Sequence, residues 1–309
     1  MSVKLTILGS SGAVPAFGRF PTSQYLIVQN RHFLIDAGEG VQMQLARYQI
    51  PVHKIDCIFI SHLHGDHYLG LMGLLFSMHL HRRVNDLHLY SQPGLDEIIL
   101  LQLKYSKSVL NYAIHFHVYD PAQQVKIYED NVLTVETIPL IHKLPCAGFL
   151  FRETIKPANL NKQKLKPGML IQHIAQLKKG ADVYDDHGKL LYRNSDFTLP
   201  PPTSYAYAFC SDTAWNEAMI EQIKYVNLLY HEATFMDEDK DKARETKHST
   251  TLEAATIAKY AEVDRLLIGH FSARYRDLDL LLNEAKTIFR NSSLAEEGIS
   301  FEIPHEPNS

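Results

Sequence analysis

Hydrophobic and polar positions along the chain follow two periods in turn. Val3 to Leu8, Tyr25 to Val28, His32 to Ile35, Ile55 to Ile60, Leu87 to Tyr90, Val132 to Ile141, Tyr205 to Cys210, Val226 to Tyr230, Arg265 to Gly269 and Ile299 to Ile303 are short apolar or alternating runs that predict strands. Between them, apolar residues at three- and four-residue spacing predict helices from Val41, over Tyr68 to Phe76, over Leu95 to Ser106, from Thr250 and over Arg276 to Phe289. Gln29-Asn30-Arg31 predicts a hairpin turn, and Thr250-Thr251-Leu252-Glu253 a capping box. Strands alternating with helices predict an α/β domain over residues 1–309. From about residue 151 to 202 the alternation lapses, closing on Leu199-Pro200-Pro201-Pro202, which predicts an inserted arm.

A second regularity concerns where the strands stop. Ser61-His62-Leu63-His64-Gly65-Asp66-His67 falls between a strand and a helix. His62 and His64 alternate and so point the same way in an extended segment; Gly65 permits a sharp bend, and Asp66 and His67 open the helix. Neutral imidazoles with a carboxylate suit zinc and similar borderline metals. Other strands end in His142, in Ser211-Asp212-Thr213, in His231-Glu232 and in His270. A lone strand-end histidine is commonly just hydrogen-bonded; several, joined by an H-x-H-x-D-H turn, point to convergence on one site.

Two cations could share these residues. His62, His64 and His142 would hold one, Asp66, His67 and His270 the other, with Asp212 bridging. A water between two cations has a lowered pKa, and the net positive centre favours an anionic electrophile such as a phosphodiester. His248, just before the capping box, and Glu232 remain. If they touch, Glu232 orients His248 and keeps it protonated as a general acid for an alkoxide leaving group. Asp36, in Asp36-Ala37-Gly38-Glu39-Gly40, is expected to brace neighbours rather than bind metal.

Composition narrows the setting. With a formal net charge of −4, the whole chain is not a basic nucleic-acid binder, although a local patch remains possible. The arm supplies one: Arg152, Lys156, Lys162, Lys164, Lys166, Lys178 and Lys179 face the single acid Glu153 in its first part. Cys57, Cys146 and Cys210 are too few for a disulfide framework, which favours a reducing, cytoplasmic setting. The N-terminus reads as a strand and glycine loop rather than a signal peptide, without the Gly-Lys-Ser/Thr of a Walker loop. Leu69 to Leu80 is too short to cross a bilayer, so no membrane partner is expected. Met78-His79-Leu80-His81-Arg82-Arg83 reads as a solvated helix end, and His115 and His117 as surface residues with no accompanying carboxylate.

With these residues placed, the sequence resembles the metallo-β-lactamase superfamily, and within it the short ribonuclease Z family of tRNA 3′-processing endonucleases. The resemblance runs nearly end to end, through Leu8 to Pro15, Asp36 to Gly40, Ser61 to His67, His142, Ser211-Asp212-Thr213, His231-Glu232-Ala233-Thr234-Phe235, His248-Ser249-Thr250 and Gly269 to Tyr275. The first turn marks only the superfamily; His-Glu-Ala-Thr followed by His-Ser-Thr is far more specific. The resemblance implies an αββα sandwich and two Zn2+ per subunit. One zinc would sit on His62, His64, His142 and Asp212, the other on Asp66, His67, Asp212 and His270. Asp66 would also accept a proton from the attacking water, and His248 with Glu232 would protonate the departing 3′ oxygen. The substrate would be precursor tRNA, leaving a tRNA 3′-hydroxyl and a 5′-phosphate on the trailer, with no organic cofactor. The arm would grip the tRNA cut by the other subunit of a homodimer, which makes Lys162, Lys164, Lys166, Lys178, Lys179 and, near the last motif, Arg274 candidate substrate contacts. Lys166-Pro167-Gly168, in place of a Gly-Pro element, and Ser77 to Arg83 depart from the family pattern. The competing reading is a dinuclear zinc hydrolase of the same fold acting on a small phosphodiester, sulfate ester or thioester.

Overall fold

The computed structural model describes residues 3–154, 159–199 and 204–303. The chain forms two compact units, one of residues up to Arg152 together with Tyr205–Ile303, the other Glu153–Ser204.

The larger unit is built on two seven-stranded sheets. The first runs Ser300–Ile303, Val3–Gly9, Ser23–Val28, Arg31–Ile35, Cys57–Phe59, Leu87–Ser91, Ile114–Val118, its last four strands parallel. The second runs Ser292–Leu294, Leu266–Gly269, Leu228–Glu232, Ala206–Cys210, Cys146–Glu153, Leu133–Leu140, Lys126–Glu129, its first four strands parallel. Side chains alternate across each strand, and that alternation separates three cores. Leu5, Phe33, Phe59, Phe149, Tyr207, Phe209 and Tyr230 meet between the sheets. On the outer face of the first sheet, Leu34, Ile58 and Leu89 pack against Val41, Leu74 and Leu95 of three helices, Val41–Arg47, Leu71–Leu80 and Leu95–Tyr105. On the outer face of the second, Ala208, Leu229 and Ile268 meet Ala254, Ile257 and Leu281 of Thr251–Tyr260 and Asp279–Ile288. The layers are therefore αββα.

The expected strands form within a residue or two of their predicted bounds, and Thr250 and Glu253 cap Thr251–Tyr260 reciprocally. Two local expectations fail. The helix after the histidine turn is broken into Gly65–Tyr68 and Leu71–Leu80, because Gly70 lies against the backbone of Gly38, where a Cβ would stand 2.0 Å from a carbonyl oxygen. Arg83 is not solvated: it is 3 % exposed and donates to the carbonyls of Ile55, Asn85 and Asp86 at 2.7–2.8 Å, tying the helix end to the next strand.

The smaller unit pairs Asn159–Leu160 with Thr198–Leu199 and Val183–Tyr184 with Leu190–Tyr192, and holds helices Ile171–Lys178 and Asn194–Phe197. Leu177, Val183 and Phe197 form its small core. Lys156 and the prolines from Pro200 to Pro202 lie outside the described residues.

Candidate metal centre

Strands that end on one rim of the two sheets present their following residues together. Cys57–Phe59 leads into His62, Leu133–Leu140 into His142, Ala206–Cys210 into Asp212, and Leu266–Gly269 into His270, while Glu232 is the last residue of its own strand. Three groups of candidate ligands result: His62, His64, His142 with Asp212; Asp66, His67, His270 with the same Asp212; and Glu232, His248 with the same His270. Asp212 divides its oxygens between the first two. Oδ2 lies 3.6 Å from His62 Nε2 and 3.7 Å from His142 Nε2, whereas Oδ1 lies 3.4 Å from His67 Nε2 and 3.2 Å from His270 Nε2.

The surrounding hydrogen bonds settle which ring nitrogens are free. His67 Nδ1 donates to Asp36 Oδ2 at 2.7 Å, which turns its Nε2 toward Asp66 and Asp212; that atom is buried and has no hydrogen-bond partner. His142 Nδ1 donates to the carbonyl of Lys247 at 2.9 Å, leaving its Nε2 free, 3.1 Å from His64 Nδ1. His62 Nε2 lies 3.0 Å from the same His64 nitrogen. Lone pairs and carboxylates facing one another in a buried space fit cations, and the donor set of imidazole with shared carboxylate is a zinc-type set. This region can hold metal ions.

Electrostatics agree with that reading. Burial first, then the neighbouring imidazoles, holds His62 well below the usual histidine range, and burial likewise lowers His64 and His142, so all three are neutral donors. Burial would also lower His67, but Asp212, Asp66 and Asp36 outweigh it and draw a proton onto the ring. The same negative surroundings draw a cation. Burial would raise Asp66 and Asp212, yet the histidines around them keep both carboxyls ionised.

Asp36 takes the bracing position expected of it. Fully buried, it accepts from Ser61 N–H at 2.7 Å, Ser61 Oγ at 2.8 Å and His67 Nδ1. The glycine loop also reaches the site: Ala13 N–H donates to Asp66 Oδ2 at 2.7 Å. Gly12 passes so close to His270 that a Cβ would stand 2.7 Å from its ring.

Glu232 and His248 do touch, Oε1 to Nδ1 at 2.9 Å. Burial opposes a charge on His248, but Glu232, its hydrogen bond and Asp212 prevail and raise its pKa to about 9. Sequence reasoning overlooked Thr234, whose hydroxyl joins this pair to the metal cluster. His270 turns Nε2 toward the carboxylates, so Nδ1 donates to Thr234 Oγ1 at 2.9 Å, and Thr234 Oγ1 donates to Glu232 Oε2 at 2.7 Å. Its position two residues after Glu232 was the available signal. Thr234→Val leaves His270 Nδ1 unpaired and takes from Glu232 Oε2 one of its two hydrogen bonds; metal affinity is expected to fall about 10–100-fold, read by chelator competition, while Thr234→Ser keeps it.

A cleft of about 380 Å³ opens over the centre, lined among others by Ala13, Glu39, Asp66, Leu69, Lys143 and His248. The remaining candidates lie elsewhere. Lys162, Lys164, Lys166, Lys178 and Lys179 are exposed on the smaller unit, with Lys166 Nζ over the rings of Tyr192 and Phe197. Arg274 is engaged with Asp239 at 2.9 Å and lies over Phe235. His115 has a carboxylate partner after all, Asp86 at 2.7 Å, since the turn into the neighbouring strand brings it alongside.

Known proteins bear on this geometry. Residues 3–163 match the family model described as Anti-Pycsar protein Apyc1. Over the full length of both chains, the sequence is 47% identical to the ribonuclease Z of Cytophaga hutchinsonii. Among solved structures, human tRNase Z, short form, superposes with a TM-score of 0.71 at 24% identity, covering 97% of this chain and 99% of that one. The metallo-β-lactamase fold protein YhfI of Bacillus subtilis gives 0.69 at 20% identity, covering 98% and 100%.

Proposed function

The chain belongs to the ribonuclease Z family, and from that premise we propose that it is a zinc-dependent endoribonuclease that removes the 3′ trailer from precursor tRNA, with two Zn2+ per subunit. The observation that carries the reading is the buried contact of His248 with Glu232 beside the paired ligand groups. Two metal ions, when bound, polarise the phosphate and lower the pKa of the attacking water. His62, His64, His142 and Asp212 would hold one ion, and Asp66, His67, Asp212 and His270 the other.

The protein's own groups do the rest. Asp66, ionised and fixed by Ala13 N–H, is placed to take the proton of the attacking water. Glu232 fixes the His248 ring by its Nδ1, which leaves Nε2 to deliver a proton to the departing ribose 3′ oxygen. The tRNA body would leave with a 3′-hydroxyl and the trailer with a 5′-phosphate. A phosphodiester with an alkoxide leaving group needs that acid; a thioester does not.

We assign the Glu153–Ser204 unit, with its exposed lysines, to gripping the tRNA body, within a homodimer whose arm serves the partner's substrate. The competing small-ester reading leaves this basic unit without a role. No helix among the described residues is long and apolar enough to cross a membrane, and all three cysteines are buried and free, which supports work in the cytoplasm.

The test is incubation of the zinc-loaded protein with precursor tRNA. Cleavage just after the discriminator base is expected; turnover of a thioester with intact RNA would sink the reading. Excising residues 156–196 is expected to abolish tRNA cleavage while sparing a small aryl phosphodiester. Equal loss of both would count against an RNA-gripping arm.

A further inference from the structure

A second cavity, of about 620 Å³, lies on the same rim as the metal centre. That size suits a small organic group. Three adjacent parallel strands end there: Cys57–Phe59 runs into the histidine turn, Leu87–Ser91 into Gln92-Pro93, and Ile114–Val118 into Tyr119-Asp120-Pro121. Pro145, three residues beyond His142, supplies another wall. The cavity is pinned to the catalytic turn. Tyr119 Oη donates to the carbonyl of Ile60 at 2.7 Å, and Ala147 N–H, two residues past Pro145, donates to the carbonyl of Ser61 at 3.2 Å.

Its walls are mainly apolar, from Pro93, Val118, Pro121 and Pro145; Asp120 also lines it, its carboxylate accepting from Ala122 N–H and Gln123 Nε2 at 2.9 Å each, and the other polar side chain with a carbonyl or amide is Gln92. Gln92 is only 5 % exposed, yet its carboxamide has no hydrogen-bond partner among the described residues and is not sealed from solvent. An amide with no protein partner that still reaches solvent can exchange water for the edge of a ligand. A carboxamide offers one acceptor and two donors in a plane, the complement of a nucleobase edge. Flat apolar walls suit the base faces, as in single-strand recognition generally.

An RNA cut at the metal centre must lay unpaired nucleotides along this rim on at least one side of the scissile bond. We propose that the cavity is a nucleobase subsite, taking one base that flanks the scissile phosphate, with Gln92 pairing to its edge. The inference rests on the endoribonuclease reading and goes beyond it by placing sequence preference in a specific residue.

The experiment uses the zinc-loaded protein, a precursor tRNA, and a set of the same precursor with one abasic nucleotide at each position around the cut. Gln92→Leu is expected to raise KM for the normal precursor about tenfold with kcat unchanged. At one position the abasic substrate should raise KM for the wild type but not for Gln92→Leu. Hydrolysis of a small aryl phosphodiester should be the same in both. Val118→Glu, at a half-exposed wall position, should reproduce the KM effect without disturbing the core. Unchanged KM in both variants, or equal sensitivity to every abasic position, would overturn the subsite. A wild type that cuts no precursor would overturn the endoribonuclease reading and the subsite with it.

Discussion

Asp212→Ala is expected to abolish both metal retention and turnover. Its two oxygens face different clusters, Oδ2 toward His62 and His142 and Oδ1 toward His67 and His270. Removing it would take a candidate ligand from each group and leave five buried or half-buried imidazoles with less negative charge to hold cations. Losing the metals forfeits several kcal/mol of transition-state stabilisation, so kcat/KM should drop on the order of 10³-fold or more. Metal analysis of the purified variant should show well under the wild-type content. Full metal content with unaltered kinetics would mean that Asp212 is no ligand.

His248→Ala should separate acid catalysis from metal binding. General acids contribute about 10²–10⁴-fold, so RNA cleavage should fall by roughly that factor in kcat. An aryl phosphodiester, whose phenolate departs without help, should lose much less. Metal content should not change, since His248 is held by Glu232 and shares only His270 with the two groups that Asp212 joins. The pH profile gives the sign. The acid must be protonated to work, and its pKa is raised to about 9, chiefly by Glu232 and Asp212 against the opposing burial. Wild-type kcat should therefore hold below that value and decline as pH rises through it, and the variant should lack this limb. Zinc lost together with activity would make His248 a ligand instead.

How much of this could be read from the sequence follows from what each residue's position depends on. That the strand-end candidates lie together was legible because strands running the same way project their C-terminal residues to one rim whatever the helices between do. The capping box was legible because it is closed within four residues. Thr234 escaped notice because its role needs two partners at once, Glu232 two residues away and His270 thirty-six away. Arg83 looked like a solvated charge because nothing local reveals that the carbonyls of Ile55 and Asp86 converge on it. The break at Gly70 depends on a backbone contact with Gly38, which an apolar pattern cannot display.

Asp212 has one more consequence, mechanical rather than chemical. His62 to His67 come from the first sheet, and His142, Asp212 and His270 from the second. Ions bound here would rivet the sandwich together at one rim, across chain separations that no local contact could bridge. Binding only the folded state, they stabilise it by mass action. A chelator should then lower the melting temperature as well as the activity.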